Sequence, residues 1–321
     1  MPRTNPSRVG PQTRERPHEQ APKRLRDGRC ALRAAALAGL LAATSAPALA
    51  QKAYPSAERA ADALVEAIAT NDDAGLKSVL GPDFGRFIPL DGVRRADVYT
   101  FLGAWAQQHR IVPAGDRRAH LSVGPGGWTL PIPIVQGPSG WRFDTRAGAD
   151  EIRTRRIGRN ELDVMNVARA YYDAQREYAA LDRNGDGVLE YAQRFVSSPG
   201  RKDGLYWPTG AGEPLSPMGP ATAETGPDNA YHGYRYAILV GQGKDAPGGA
   251  YPYVVGGRMI GGFGLIAWPV RYGDTGVMSF VVNHRGDVYQ QDLGPGTDGV
   301  ARATRQFDPD PSWQKVTPAG R

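Results

Sequence analysis

Cysteine is almost absent from this sequence of 321 residues, and its single occurrence is Cys30. A chain with one cysteine forms no internal disulfide, and it has too few thiolates for a cysteine-ligated zinc site. Histidine is also scarce. The histidines beyond residue 50 are His109, His120, His232 and His284. None of them has the H-x-x-H or H-E-x-x-H spacing, so the sequence offers no argument for a zinc enzyme.

Net charge is lacking once the first fifty residues are set aside. The whole chain carries 39 Lys and Arg against 33 Asp and Glu, a formal charge of +6. Residues 1–50 hold nine of these bases and three of the acids, which leaves 30 of each in residues 51–321. A neutral body has no overall excess of positive charge to attract nucleic acid, so we expect no nucleic-acid partner.

A long apolar run is missing as well, because residues 34–43 form a run of only ten residues. A helix that spans a bilayer needs about 20 apolar residues. A basic stretch ending at Arg33 precedes the run, and Pro47 and small residues up to Ala50 follow it. This is the pattern of a Sec-type signal peptide. The sequence therefore predicts that residues 1–50 are removed after Ala50, that no transmembrane anchor remains, and that the protein is periplasmic or secreted.

Residues 51–157 show helical periodicity followed by strand periodicity. Ser56 is a typical N-cap for a first helix and Asp72 or Asp73 for a second, and a third helix is predicted around residues 98–105. The predicted strands, joined by a turn at residues 137–140, span residues 128–134 and 141–144. Two prolines in the first strand, Pro131 and Pro133, indicate an edge strand or a bulge. This order is similar to the NTF2-like α+β cone, a resemblance that implies the fold alone.

Residues 158–321 predict a long helix followed by an antiparallel sheet. Asn160 is the expected cap of a helix from Glu161 to about Ala180, and the loop 182–193 leads into a short helix that ends near Val196. Residues 199–230 are expected to be irregular. The predicted strands that follow span residues 231–240, 251–255, 262–268, 277–283 and 286–291. This α+β layout is similar to the globular heads of bacterial type II pseudopilins. The arginines at 153, 155, 156 and 159 indicate a solvated helix face or, alternatively, an anion site.

Several longer segments carry a resemblance that covers most of the chain. They include "YYDAQREYA", "DGVLEYAQRF", "YHGYRY" and "GGFGLIAWP". The sequence resembles the bacterial family known as domain of unknown function 2950, from about residue 54 to residue 313. The resemblance implies an exported bacterial protein with no assigned activity.

Residues 182–193 follow the opening pattern of an EF-hand calcium loop. Such a loop places oxygen ligands at positions 1, 3 and 5, a glycine at position 6 and a backbone carbonyl at position 7. The predicted ligands are Asp182, Asn184, Asp186, the carbonyl of Val188, Glu190 and Gln193. Leu189 is expected to pack against the core, with a helix on each side of the loop.

The loop departs from the EF-hand pattern at position 12, where Gln193 replaces the bidentate glutamate. A neutral amide lowers the expected affinity into the range of weak extracellular sites, about 10⁻⁴–10⁻³ M. The alternative is a capping turn rich in Asp and Asn that holds no ion.

Two residues outside this loop offer an enzymatic alternative. Asp203 lies near two aromatic residues, and His232 is predicted to share a strand face with Tyr234 and Tyr236. Glycoside hydrolysis needs two carboxylates, and only Asp203 is available. We therefore expect a non-enzymatic binding or structural module of the cell envelope, stabilised by calcium, with an envelope protein or glycan as partner. The alternatives are a hydrolase of envelope glycan or peptide that uses Asp203 and His232, and a pilus-associated subunit.

Overall fold

Two capped helices open the described part of the chain. The computed structural model describes residues 51–88, 93–220 and 230–316, and the predicted signal peptide lies outside these ranges. The first four helices are α1 (Ala57–Ala69), α2 (Asp73–Leu80), α3 (Phe84–Phe87) and α4 (Arg95–Gln107). Ser56 accepts a hydrogen bond from the N–H of Arg59, and Asp72 accepts one from the N–H of Ala74. The predicted N-cap Ser56 is confirmed, and of the two candidates for the second helix, Asp72 and Asp73, the cap is Asp72.

An antiparallel sheet packs against these helices. Its strands are β1 (His109–Pro113), β2 (Arg118–Val123), β3 (Trp128–Thr129), β4 (Ile134–Gly137) and β5 (Gly140–Phe143). The order is β1-β2-β4-β5, and β3 pairs with β2. The prediction of one strand over residues 128–134 is wrong, because Pro131 and Pro133 lack the N–H that a ladder requires. Alternate residues of β2, including Leu121, are buried against the helices in the first hydrophobic core.

A single long helix, α5 (Thr145–Tyr178), leads out of this sheet. Asp144 caps it by accepting the N–H of Ala147 at 3.0 Å. The predicted start at Asn160 is wrong, since that residue lies inside the helix. The first half of α5 has few buried residues and is supported by ion pairs one turn apart, such as Arg155 with Glu151. The predicted boundary between residues 157 and 158 falls within α5, and the division into two domains stays a prediction.

The elements after α5 are mostly strands. They are β6 (Ala230–Tyr231), β7 (Tyr234–Leu239), β8 (Gly241–Gln242), β9 (Tyr251–Pro252), β10 (Val254–Val255), β11 (Arg258–Met259), β12 (Gly264–Pro269), β13 (Met278–Asn283), β14 (Val288–Asp292), α6 (Thr297–Ala303), β15 (Gln306–Phe307) and β16 (Gln314–Lys315). Six of them form an antiparallel sheet in the order β16-β14-β13-β12-β7-β6. The chain is therefore an α+β protein, as predicted.

The six-stranded sheet is covered on both faces. Leu265 and Phe280 belong to the core that includes the buried side of α5. Ile266 and Val281, one residue further along the same strands, belong to a second cluster that includes Ala301 of α6. Every residue of β12 is buried, because its neighbours β7 and β13 protect its backbone while helices cover its two faces.

The middle of α5 is hydrogen-bonded to the loop that precedes β13. Asn160 Nδ2 donates to the carbonyl of Thr275 at 2.8 Å. Glu161 Oε1 accepts the backbone N–H groups of Val277 and Met278 at 2.9 and 3.0 Å. These bonds satisfy backbone groups of the loop before β13 and of the first residue of that strand, and they fix the register between the helix and the sheet.

Near its end, α5 also binds the last part of the loop 182–193. Gln175 is fully buried. Its Nε2 donates to the carbonyl of Ala192 and its Oε1 accepts the N–H of Ala192, both at 2.8 Å. The predicted short helix up to Val196 is wrong, because this segment is extended. Its backbone groups bond to the side chain of Gln175 and to the backbone of residues 205, 206 and 259 instead of to each other.

We expect Gln175→Leu to lower the free energy of unfolding by about 2–4 kcal/mol, because it leaves the buried N–H and C=O of Ala192 without partners. Urea denaturation measures the change. Glu177→Gln, an exposed substitution on the same helix turn, is the control and should be nearly neutral. An equal effect of the two substitutions would show that the bonds to Ala192 do not stabilise the fold.

Candidate metal site

The loop after α5 is organised around the carboxylate of Asp182. Its Oδ1 accepts the N–H of Gly185 and its Oδ2 accepts the N–H of Gly187, both at 2.8 Å. Both glycines have positive φ, +75° and +84°, which favours glycine at these two positions. Asp182 therefore holds the loop in the tight turn that positions 4 to 6 of a calcium loop adopt.

Three further polar side chains meet beside this turn. Asn184 Nδ2 lies 3.0 Å from Asp186 Oδ2 and 3.0 Å from Glu190 Oε1. Arg258, from the β10–β11 hairpin, donates to the same Asp186 oxygen at 2.7 Å. The amide of Asn184 and the guanidinium of Arg258 thus donate to carboxylate oxygens that lie close together.

The loop concentrates more negative charge than its neighbours neutralise. Burial, and next the charge of Asp186, raise the pKa of Glu190 above its usual value, while Arg258 offsets part of this effect. Asp182 behaves oppositely, because the backbone N–H of Gly187 and other N–H donors lower its pKa. Three carboxylates face one arginine here, and a divalent cation would supply the missing positive charge.

The remaining predicted ligands are placed less favourably. Gln193 Nε2 donates to the carbonyl of Gly257 at 2.8 Å, which turns this amide nitrogen toward the β10–β11 hairpin. Val188 donates its N–H to Asp186 Oδ1 at 3.0 Å. Within the described ranges, no three His, Cys, Asp or Glu side chains form a ready metal cage. Ion binding by this loop would require Asn184 to turn its amide and Arg258 to release Asp186.

Leu189 does not pack against the core as predicted, since 57% of it is exposed. The reason is the extended path that replaces the second helix. Ala192 is buried instead, and the ring of Tyr191 packs against Phe263 with centroids 4.8 Å apart. The loop resembles an EF-hand in its first half only, and its second half joins the core as an extended chain.

Sequence reasoning missed Arg258, the cation that contacts Asp186. The two residues are 72 positions apart, so no local spacing links them. Arg258 follows the glycine pair Gly256-Gly257, which marks a tight turn. That signal predicts the hairpin but not the element on which the hairpin packs.

His232 lies in a tight turn and not in a strand. Its φ is +50°, and Gly233 follows it with a φ of +75°, so the two residues form the turn between β6 and β7. The prediction that His232 shares a strand face with Tyr234 and Tyr236 is therefore wrong. Its Nδ1 is 3.2 Å from a carboxylate oxygen of Asp163, in the middle of α5.

Asp203 lies near the other end of α5. Its carboxylate accepts the N–H and the hydroxyl of Ser198 at 2.7 and 2.9 Å. The adjacent Lys202 carbonyl accepts the hydroxyl of Tyr178, the last residue of α5. His232 bonds to the helix roughly 20 Å away from this end, as judged from a rise of 1.5 Å per residue. The structure does not bring Asp203 and His232 together.

The fold and this loop define an α+β protein with an EF-hand-like turn at the end of its long helix. A family model described as a protein of unknown function, DUF2950, matches residues 51–316, and the chain belongs to this family. No curated protein and no solved structure matches the chain. The likenesses to the NTF2-like cone and to pseudopilin heads stay predictions.

The raised pKa of Glu190 predicts how stability depends on pH without metal. A carboxyl whose pKa is raised on folding favours the folded state less as it ionises, so its contribution falls as pH rises through the folded-state pKa. We expect the Glu190→Gln variant to be as stable as the wild type at about pH 4 and more stable than it at neutral pH.

Urea denaturation in metal-free buffer across this pH range measures the difference, and Glu177→Gln on the exposed side of α5 is the control. If Glu190→Gln destabilises the protein at neutral pH in metal-free buffer, ionised Glu190 does not weaken the fold. The excess of negative charge in the loop is then refuted.

Proposed function

We propose that this protein is exported to the periplasm or cell envelope and acts there as a non-enzymatic binding or structural module, with calcium holding the loop at the end of α5. The observation that carries the proposal is the set of polar groups at 182–190, three carboxylates opposed by one arginine. A cation site is the simplest function for such an arrangement.

Export is supported by the order of segments. The basic, apolar and small-residue regions of residues 1–50 have the pattern of a Sec-type signal peptide, with cleavage after Ala50. The match to the family begins at residue 51, directly after this position. Among the described helices, none has the length and apolar character to span a membrane.

Calcium suits the loop better than a tighter-binding transition metal. Its preferred ligands are carboxylate, amide and carbonyl oxygens, the groups this loop offers through Asp182, Asn184, Asp186 and Glu190. The hydrogen bonds from backbone N–H groups to Asp182 pre-arrange the first half of the loop. Gln193 adds no charge, and Arg258 must leave Asp186, so both lower the affinity. A weak site still fills where calcium is millimolar.

The hydrolase alternative loses its main support. It depended on Asp203 and His232 meeting in one site, and they contact α5 at positions far apart. Each also has a structural partner, Ser198 for Asp203 and Asp163 for His232. A binding role requires no such pair, and an envelope protein or glycan remains the partner we propose.

We expect calcium to raise the melting temperature of the purified protein. At about ten times a Kd near 10⁻⁴–10⁻³ M, binding adds about 1.4 kcal/mol and raises Tm by roughly 2–4 °C. Scanning calorimetry in chelator and in calcium measures the shift. Asp186→Ala should abolish it, because this residue contributes a ligand at loop position 5.

Asp173→Asn, an exposed carboxylate change on α5, is the matched control and should keep the full shift. The calcium proposal fails if several-millimolar calcium leaves the wild-type Tm unchanged, or if Asp186→Ala responds as strongly as the control. A pull-down from the native envelope, with and without calcium, then tests the partner. Recovery of no envelope protein or glycan in either condition would contradict the binding role.

A further inference from the structure

A cavity of about 330 Å³ lies between the first sheet and the N-terminal half of α5. Leu121 of β2 is buried against α1–α4, and the neighbouring residue His120 points to the opposite face, where it lines the cavity. The volume is at the lower end of the range for small-molecule sites, about 300–1,000 Å³. Much of the wall is apolar and rigid, since Pro113, Pro131 and Pro133 contribute to it.

Two of the polar groups in the wall satisfy each other. Arg155 Nε is 2.7 Å from the carboxylate of Glu151, and its two terminal nitrogens donate to the carbonyl and hydroxyl of Thr129 at 2.6 and 3.0 Å. Their charges cancel, and every nitrogen of this guanidinium has an acceptor. The pair therefore forms a neutral, fixed side of the cavity.

The other two polar groups have no such partners. Nδ1 of His120 is shielded from solvent and has no hydrogen-bond partner among the described residues. Since a shielded N–H without an acceptor is rare, we assign the ring proton to Nε2. Arg118, two residues earlier on the same face, lines the cavity, and its guanidinium makes no ion pair or hydrogen bond within the described part of the chain. The cavity thus has one uncompensated positive charge and one spare N–H donor.

We propose that this cavity binds a small organic monocarboxylate. Arg118 and the Nε2–H of His120 would hold its carboxylate, and its apolar body would lie on the proline wall. The proposal goes beyond the binding role proposed above, whose partner is an envelope protein or glycan, and it stands independently of that role. It does not rest on the calcium loop, which follows the last residue of α5, roughly 40 Å along the helix axis from Glu151.

The test uses benzoate, benzyl alcohol and benzylamine as probes of one shape and three charges. Each is titrated into the purified protein while the imidazole resonances of His120 are followed by NMR. We expect saturable binding of benzoate and at least about tenfold weaker binding of the other two. Equal binding of all three probes, or no saturable response to benzoate, would overturn the proposal.

Substitutions of Arg118 and Arg117 test where benzoate binds. Arg118→Gln should weaken benzoate binding about tenfold, and Arg118→Lys, which keeps the charge but not the fork of donors, should weaken it less. Arg117→Gln changes the adjacent exposed arginine and should leave the affinity unchanged. Equal losses for Arg117→Gln and Arg118→Gln would show general attraction to surface charge and would refute the site.

Repeating the titration in chelator and in calcium separates the two proposals. Benzoate binding that is unchanged while calcium gives no Tm shift would refute the calcium loop alone. A calcium shift without benzoate binding would refute the cavity alone.

Discussion

The rest of this structure depends on the hydrogen bonds that α5 makes along its whole length. Near its start, Arg155 donates to the backbone of Thr129 in the first sheet. One residue on, Arg156 pairs with Asp274 before β13, and Glu161 accepts two N–H groups of the same region. Since one rigid helix makes all these bonds, the two sheets have a fixed common support.

Hydrogen bonds with α5 also fix the loop at 182–193. Gln175 holds Ala192 from inside the core, and Arg183 donates to the carbonyl of Tyr178 at the end of α5. Both ends of the loop are therefore fixed by one helix, so the loop starts from a restricted set of conformations. A restricted loop loses less conformational entropy when it orders around an ion, which partly offsets the missing glutamate at position 12.

Interactions between residues close together in the sequence could be predicted from it, and interactions between distant residues could not. Ser56, Asp72 and the turn at Asp182 act on neighbours within a few residues, so their roles follow from spacing. The first half of α5 was missed because its stability comes from polar partners such as Thr129 and Asp274 and not from an apolar stripe. A solvated face was one expectation for its arginines, and it is wrong for Arg155 and Arg156, which are only about one third exposed.

The candidate metal site likewise combines features that the sequence predicts with features that it does not. The positions of Asp182, Asn184, Asp186 and Glu190 follow from the motif, and the structure brings them together. Arg258 comes from a distant hairpin, and the extended chain after Leu189 follows from tertiary bonds that override the helical expectation.

The most direct test of the account is a crystal structure of the protein grown with calcium. The account predicts an ion bound by oxygens of Asp182, Asn184, Asp186 and Glu190 at about 2.3–2.6 Å, with Arg258 turned away from Asp186. A loop that keeps Arg258 on Asp186 and the amide nitrogen of Asn184 between the carboxylates, with no ion at saturating calcium, would contradict it.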